Sequence, residues 1–289
     1  MFVQNGWRDY SADVFETLDK LDTKDRRTLT VDTMLSFGPI GGAQYARYIS
    51  GTVVSMGSLK NNRVPKTQVR QPGTIAFVSQ WRTNGVRVAG IDRTHEEFFA
   101  QADRLILQCL TQYVHERSKR LVIIAANPKD GDVRSREEAY FQGLLEQEAE
   151  FFDFQGPYPS YQAVDAAEVV VTVDTTLGYE SIARGKRTAI FSIRGSLLGA
   201  PGFTYGWPGN FPVDGPFWTN NPDADAFVRI LDHLFEIDDM QWRREVEATD
   251  FSSLMIHDPG NSILKSILAN ELGTQVSSPT ESRDASQAV

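Results

Sequence analysis

The run Asp174-Thr175-Thr176-Leu177-Gly178-Tyr179-Glu180-Ser181-Ile182-Ala183-Arg184-Gly185-Lys186 concentrates the residue types that do chemistry. It follows Val169-Val170-Val171-Thr172-Val173, an apolar run that reads as a buried strand, so a strand ends in small hydroxyl residues that open a helix. Hydroxyls and the N–H groups of a first helical turn converge where an anion is favoured, which predicts phosphate binding. The plain alternative is that Asp174 or Thr175 only caps the helix. Glu180 lies one turn after Thr176, placed either to hold ribose hydroxyls or to face solvent as most helix glutamates do.

Two further strand ends carry polar side chains. Asn127-Pro128-Lys129-Asp130 follows Leu121-Val122-Ile123-Ile124-Ala125-Ala126, and Ser79, Gln80, Trp81 and Arg82 end the strand before it. Asn127 and Lys129 are each suited to a phosphate or a base edge, and a simple strand-ending turn is the competing reading for both segments. A glycine- and proline-rich stretch, Gly195 to Asn221, carries Phe203, Tyr205, Trp207, Phe211, Phe217 and Trp218. These aromatics either stack on a base or sugar or form a minor core over a sheet edge. His95, His115, His233 and His257 show no paired spacing, and GxGxxG, GxxxxGK[ST] and GxSxG are all missing. Dinucleotide oxidoreductase, P-loop kinase and α/β-hydrolase chemistry are therefore not indicated.

The elements that must position these groups alternate from Gly73 onward. Strands are predicted at Thr74 to Trp81, Leu121 to Ala126, Phe151 to Phe154, Val169 to Asp174 and Arg187 to Ile193, with amphipathic helices between them. Phe98, Ala102, Leu105, Ile106, Cys109, Leu110 and Tyr113 share one helical face. Further helices are expected at Ser135 to Glu150, Tyr161 to Ala167 and Leu177 to Arg184, the last closed by Gly185. An open parallel sheet of this kind places ligands at the carboxyl ends of its strands. Before Gly73, strands at Met1 to Gln4, Thr28 to Phe37 and Thr52 to Met56 alternate with helices near Ala12 to Leu21 and Gly42 to Ile49. A sheet this thin leaves apolar faces uncovered and reads as the end of a larger domain. The division expected is thus 1–72, 73–272 with helices at Ala224 to Phe235, Asp239 to Ala248 and Asn261 to Leu272, and a polar, disordered tail over 273–289.

Composition sets the outer limits. The 289 residues hold 29 Lys and Arg against 38 Asp and Glu, a formal charge of −9, which argues against a nucleic-acid partner. One cysteine, Cys109, makes neither a disulfide nor a cysteine-rich metal site and fits a reducing cytoplasm. No run approaches the roughly 20 apolar residues that cross a bilayer, and the start lacks a signal-peptide layout.

At this point the chain resembles a known family. Asp174 to Lys186 is similar to the D-[ST]-T-x-G-x-E-x-x-x-x-G-K segment of GT-B glycosyltransferases that build bacterial capsule, O-antigen and other surface polysaccharides. Gln4-Asn5-Gly6-Trp7-Arg8, Phe37-Gly38 and Gly57-Ser58-Leu59-Lys60-Asn61-Asn62 look like successive strand-end motifs of such proteins. The resemblance implies a GT-B-like α/β fold: a Rossmann-like parallel-sheet domain for the nucleotide-sugar, preceded by part of a second Rossmann-like domain on the acceptor side. It implies that Thr175 and Thr176, with Gly178 in the same turn, meet the donor phosphate, and that Glu180 contacts ribose or sugar. Gln80, Asn127, Lys129 and Arg194 join that donor site, the last two also steadying the departing phosphate. Arg8 and Asp9 are catalytic candidates by position at the end of the first strand. The scheme needs no metal and no cofactor, the nucleotide-sugar being a substrate, with a glycan or glycolipid as acceptor. Enzymes of this kind using CMP-sugars often carry His-Pro where this chain has Asn127-Pro128. Peripheral contact with the inner face of the membrane, a homo-oligomer or a companion chain, a sugar-nucleotide epimerase of the same fold and a non-catalytic subunit all stay open.

Overall fold

The computed structural model describes residues 1–8, 14–21, 29–88, 90–126, 131–145, 148–153, 156–200 and 202–273. Asp9, Asn127, Pro128, Lys129 and the expected tail from residue 274 lie outside the described residues. Two parallel sheets organise the rest. The first contains β1 (Phe2–Val3), β2 (Thr30–Ser36) and β3 (Ser50–Ser55) in the order β1-β2-β3, with α1 (Val14–Asp19) and α2 (Pro39–Ala46) in the connections. Phe15, Met34, Tyr45 and Tyr48 form its small core, and Trp207 packs against them.

After the short α3 (Leu59–Arg63) the chain enters the second sheet. Its strands are β4 (Gln71–Val78), β7 (Arg120–Ile124), β8 (Ala167–Thr172), β9 (Arg187–Phe191) and β10 (Trp218–Thr219), ordered β10-β9-β8-β4-β7, with β5 (Val86–Val88) and β6 (Ile91–Arg93) forming a separate antiparallel hairpin. All five pair in parallel. The first strand of this sheet therefore lies between the second and the third, and the switch point falls between β4 and β8.

Strand alternation explains the two buried faces. Ile75 and Phe77 point with Val169 and Val171 into the larger core under α4 (Gln101–Arg117) and α9 (Ala224–Glu236). Ala76, Val78 and Val170 point the other way, against Ala163 and Val164 of α6 (Pro159–Ala166). α5 (Gly131–Leu144), α7 (Thr176–Ala183), α8 (Arg194–Leu198), α10 (Asp239–Ala248) and α11 (Ser262–Leu272) complete the element order.

Three expectations are corrected. Phe151 makes only an isolated parallel bridge to Ile123, so the strand expected from Phe151 does not form over its described residues. The fifth strand of the sheet is instead β10, at the edge beyond β9 and inside the stretch read as irregular. A π-helical turn at Glu96–Ala100 precedes α4, and within α4 Leu105 lies at the margin of the apolar face and is exposed while Ile106 and Leu107 are buried. Gly185 does stand just past α7 with φ +85°, as its position predicts.

The chain finally returns to the first sheet. Ile256 N donates to Phe37 O at 2.9 Å, Asp258 N to Asn62 Oδ1 at 2.9 Å and Gly260 N to Asn62 O at 2.7 Å. A Cβ on Gly38 would lie 2.5 Å from the backbone of Leu254, and one on Gly57 (φ +77°) 2.0 Å from Ile256 O. Phe37-Gly38 and Gly57 to Asn62 are thus where the returning segment docks, and only glycine allows that approach.

Candidate functional site

Between the sheets lies a crevice of about 1030 Å³, bounded by carboxyl ends of strands from both sides. The first sheet contributes Gln4, Asn5 and Phe37 and, through α3, Ser58, Lys60 and Arg63; the second contributes Gln80, Arg82, Tyr161 and the residues opening α7.

The α7 turn is built from its sequence outward. Thr175 is the N-cap, extended at φ −74° and ψ 149°, and its Oγ1 accepts from Gly178 N at 2.8 Å. Thr172 Oγ1 also donates to Thr175 Oγ1 at 2.8 Å, so both lone pairs are engaged and the Thr175 proton is left as a donor. Thr176 Oγ1 accepts from Trp7 N at 2.7 Å and likewise retains its proton. The N–H groups of Thr176 and Leu177 stand at the first two helical positions, where no acceptor exists within the helix, and both residues line the crevice. The capping role of Thr175 is thus present, and it leaves hydroxyl and N–H donors on residues that line the crevice. Gly178 lies behind this wall, where a Cβ would meet Thr172 Cγ2 at 2.3 Å.

Glu180 is not solvated; it is 5% exposed and reaches the crevice floor. Its carboxylate accepts from Ser58 Oγ at 2.5 Å and from Tyr161 Oη at 2.8 Å. Burial pushes the Glu180 carboxyl up, while the bonds from Ser58 and Tyr161, then the positive charges of Lys60 and Arg184, oppose that rise. Lys60 Nζ lies 5.3 Å from the centre of the Tyr161 ring.

The same helix faces the first sheet along one stripe. Thr176, Tyr179, Glu180 and Arg184 are spaced by three and four. Trp7 stacks on Tyr179 with ring centres 3.6 Å apart and planes 10° from parallel, and Asn61 Nδ2 donates to Glu180 O at 3.2 Å. Arg184 donates to Asn61 O and Oδ1, Val64 O and Pro65 O, while pairing with Asp165 at 2.7 Å. It is 2% exposed, and these acceptors account for its burial.

Of the residues singled out in the sequence, Gln80, Thr175, Thr176 and Glu180 share the crevice wall. Arg194 does not: it is buried behind Gln80 and paired with Asp174 at 2.6 Å. Arg8 is tied elsewhere, donating to Tyr45 Oη at 3.2 Å and Asn5 Oδ1 at 2.8 Å, beside a small aromatic hollow of Trp7, Phe15 and Trp207. Ser58, Tyr161, Lys60 and Arg63 were given no role from the sequence, although Ser58 and Lys60 lie in a strand-end motif. A hydroxyl-lined α6 start, Tyr158 to Tyr161, was the signal available for Tyr161. Among the described residues no cluster of His, Cys, Asp or Glu is placed to hold a metal, and no helix is long and apolar enough to cross a membrane.

The sequence pattern of one family, described as "putative O-antigen biosynthesis protein", matches residues 1–272. No curated protein matches. Among solved structures, a wall teichoic acid polymerase TagF is similar at 9% identity, over 84% of this chain and 56% of that one, with a TM-score of 0.48. A glycosylation associate protein complex from Streptococcus agalactiae is similar at 11% identity, over 88% and 47%, with a TM-score of 0.49. A glycosyltransferase from Rickettsia africae ESF-5 is similar at 10% identity, over 94% and 70%, with a TM-score of 0.46. The chain spans about half the length of the first two.

Proposed function

The chain belongs to this O-antigen biosynthesis protein family, and from that premise we propose that it is a GT-B glycosyltransferase which takes its nucleotide-sugar donor in the crevice between the sheets. The observation that carries the reading is the wall made by Thr175, Thr176, Leu177 and Gln80 at the β4/β8 switch point. There, hydroxyl and N–H donors face a space with Lys60, Arg63 and Arg82 on its rim. Such a wall favours phosphate oxygens before transfer and stabilises them more as charge builds on the departing nucleotide. Holding donor and acceptor from opposite sheets supplies proximity as well. The acceptor is a surface-polysaccharide or lipid-linked glycan, met in the cytoplasm at the inner face of the membrane.

Thermal denaturation and calorimetry with CMP, UDP, GDP and their sugar conjugates test the reading. One nucleotide class should stabilise the protein, by about 2.7 kcal/mol at a hundred times its Kd. Lys60→Ala and Arg82→Ala should weaken that effect. A folded protein indifferent to every nucleotide sinks the proposal. A new sugar nucleotide formed without acceptor identifies an epimerase instead.

A further inference from the structure

Gln80 sits at the carboxyl end of β4 in the crevice wall, and its amide is held at both ends. Its Nε2 donates to Asp174 Oδ1 at 2.8 Å. Arg194 Nη1 donates to the same carboxylate oxygen at 2.6 Å and also to Gln80 Oε1. The anchor is rigid and dry: Asp174 is 6% and Arg194 2% exposed. Arg194 Nε donates to Phe98 O at 3.1 Å, and its guanidinium lies 5.0 Å and 5.1 Å from the centres of the Phe98 and Phe99 rings.

Only one orientation of the amide satisfies this triangle. Turned over, it would set oxygen against the Asp174 carboxylate and NH₂ against a guanidinium, two repulsive contacts in a buried site. With one Nε2 hydrogen on Asp174, the second takes no protein acceptor among the described residues. It stands in the same wall as the Thr175 and Thr176 hydroxyls.

We infer that Arg194 and Asp174 are positioning residues that fix Gln80 as a phosphate-facing N–H donor, so that Arg194 acts on the donor nucleotide through Gln80 and not by touching it. This rests on the donor-site reading above. It also explains how a buried arginine behind the wall serves a ligand: its charge is neutralised by Asp174, and what reaches the crevice is a directed neutral donor.

The test is calorimetric titration of wild type, Gln80→Leu, Arg194→Lys and the double variant with CDP, UDP and GDP and with the matching uncharged nucleosides. For the diphosphate that wild type binds, Gln80→Leu should weaken affinity roughly 10- to 100-fold, the range for a hydrogen bond to a charged group. Affinity for the nucleoside should stay unchanged. Arg194→Lys should show the same selective loss, with no further loss in the double variant. Equal loss for the nucleoside, or losses that add, would overturn the inference while leaving the donor site standing. A wild type that binds no diphosphate overturns both. Should Arg194→Lys fail to fold, Gln80→Glu replaces the same test. It keeps an oxygen for Arg194 but removes the donor, and unchanged diphosphate affinity would refute the assignment.

Discussion

The two sheets reach order by different means. In the second, β4 and β8 are covered on both faces, and Ile75, Ala76, Phe77, Val169, Val170 and Val171 are without solvent contact. The first sheet has three strands, an outer strand with Phe2 61% exposed, and a core of a few aromatics. What it lacks in apolar burial is offset by contacts to the second sheet: Trp7 on Tyr179, Ser58 and Asn61 on Glu180, Asn61, Val64 and Pro65 on Arg184, and Phe37 and Asn62 on the returning segment. The first sheet's stability therefore resides in its contacts with the rest of the chain, and of the groups that make them Phe37, Ser58 and Glu180 also line the crevice.

Breaking that dependence at its centre should give the largest effect. Arg184→Met leaves the buried Asp165 carboxylate and four first-sheet acceptors without their cation, which should cost about 3–5 kcal/mol. Chemical denaturation should then show two transitions where wild type shows one. A single transition at an unchanged midpoint would separate the sheets' stabilities and break the comparison.

A change inside the second sheet's own layers should act in the opposite sense. Burial pushes the Asp103 carboxyl up to about 6, with the Arg194 charge and the Tyr140 hydroxyl opposing the rise and the Asp174 charge adding to it. A folded value above the usual carboxylate value means that its favourable contribution is present below about pH 4 and lost as pH rises through 6. Asp103→Asn keeps an acceptor for Tyr140, so it should stabilise at pH 7.5 by at most about 3 kcal/mol. The gain in Tm should shrink as pH falls towards 4.

Smaller changes sharpen the contrast. Gly38→Ala forces the Leu254 backbone away and should cost about 1–3 kcal/mol, with amide exchange speeding in β2 and β3 before β4 and β8. Thr175→Ala removes the α7 cap for about 1 kcal/mol, and should lower nucleotide affinity as well as Tm. Lys20→Ala, which deletes an exposed pair with Glu16, should change Tm by under about 0.5 kcal/mol equivalent.

These differences also decide what could be read in the sequence. β8 and α7 were legible because a strand buried on both faces is a continuous apolar run, and because capping by Thr175 and the left-handed Gly185 are local events. The wall residues Thr176 and Gln80 followed from their place at strand ends. Arg184 gave no such signal: its acceptors are backbone carbonyls 119 to 123 residues away. Glu180 stands out by its place in the helix, but its bond to Ser58, 122 residues away, gives no signal until the sheets meet. β10 is two residues long in a glycine- and proline-rich stretch, too short for any period to show, and spacing by three and four does not separate the margin of an apolar face, where Leu105 lies, from its centre.

The returning segment has a consequence for the order in which the molecule can be completed during synthesis. Asn62 leaves the ribosome 196 residues before Asp258, the partner of its side chain. Phe37 O and the Gly57 turn wait similarly for Ile256. Until then the first sheet emerges as a nascent segment whose docking face is bare, while the second sheet can collapse on its own neighbours. Premature termination between residues 237 and 254 should thus yield a product that carries all five strands of the second sheet and α9 but an unsettled amino-terminal segment, exposed to proteases and chaperones.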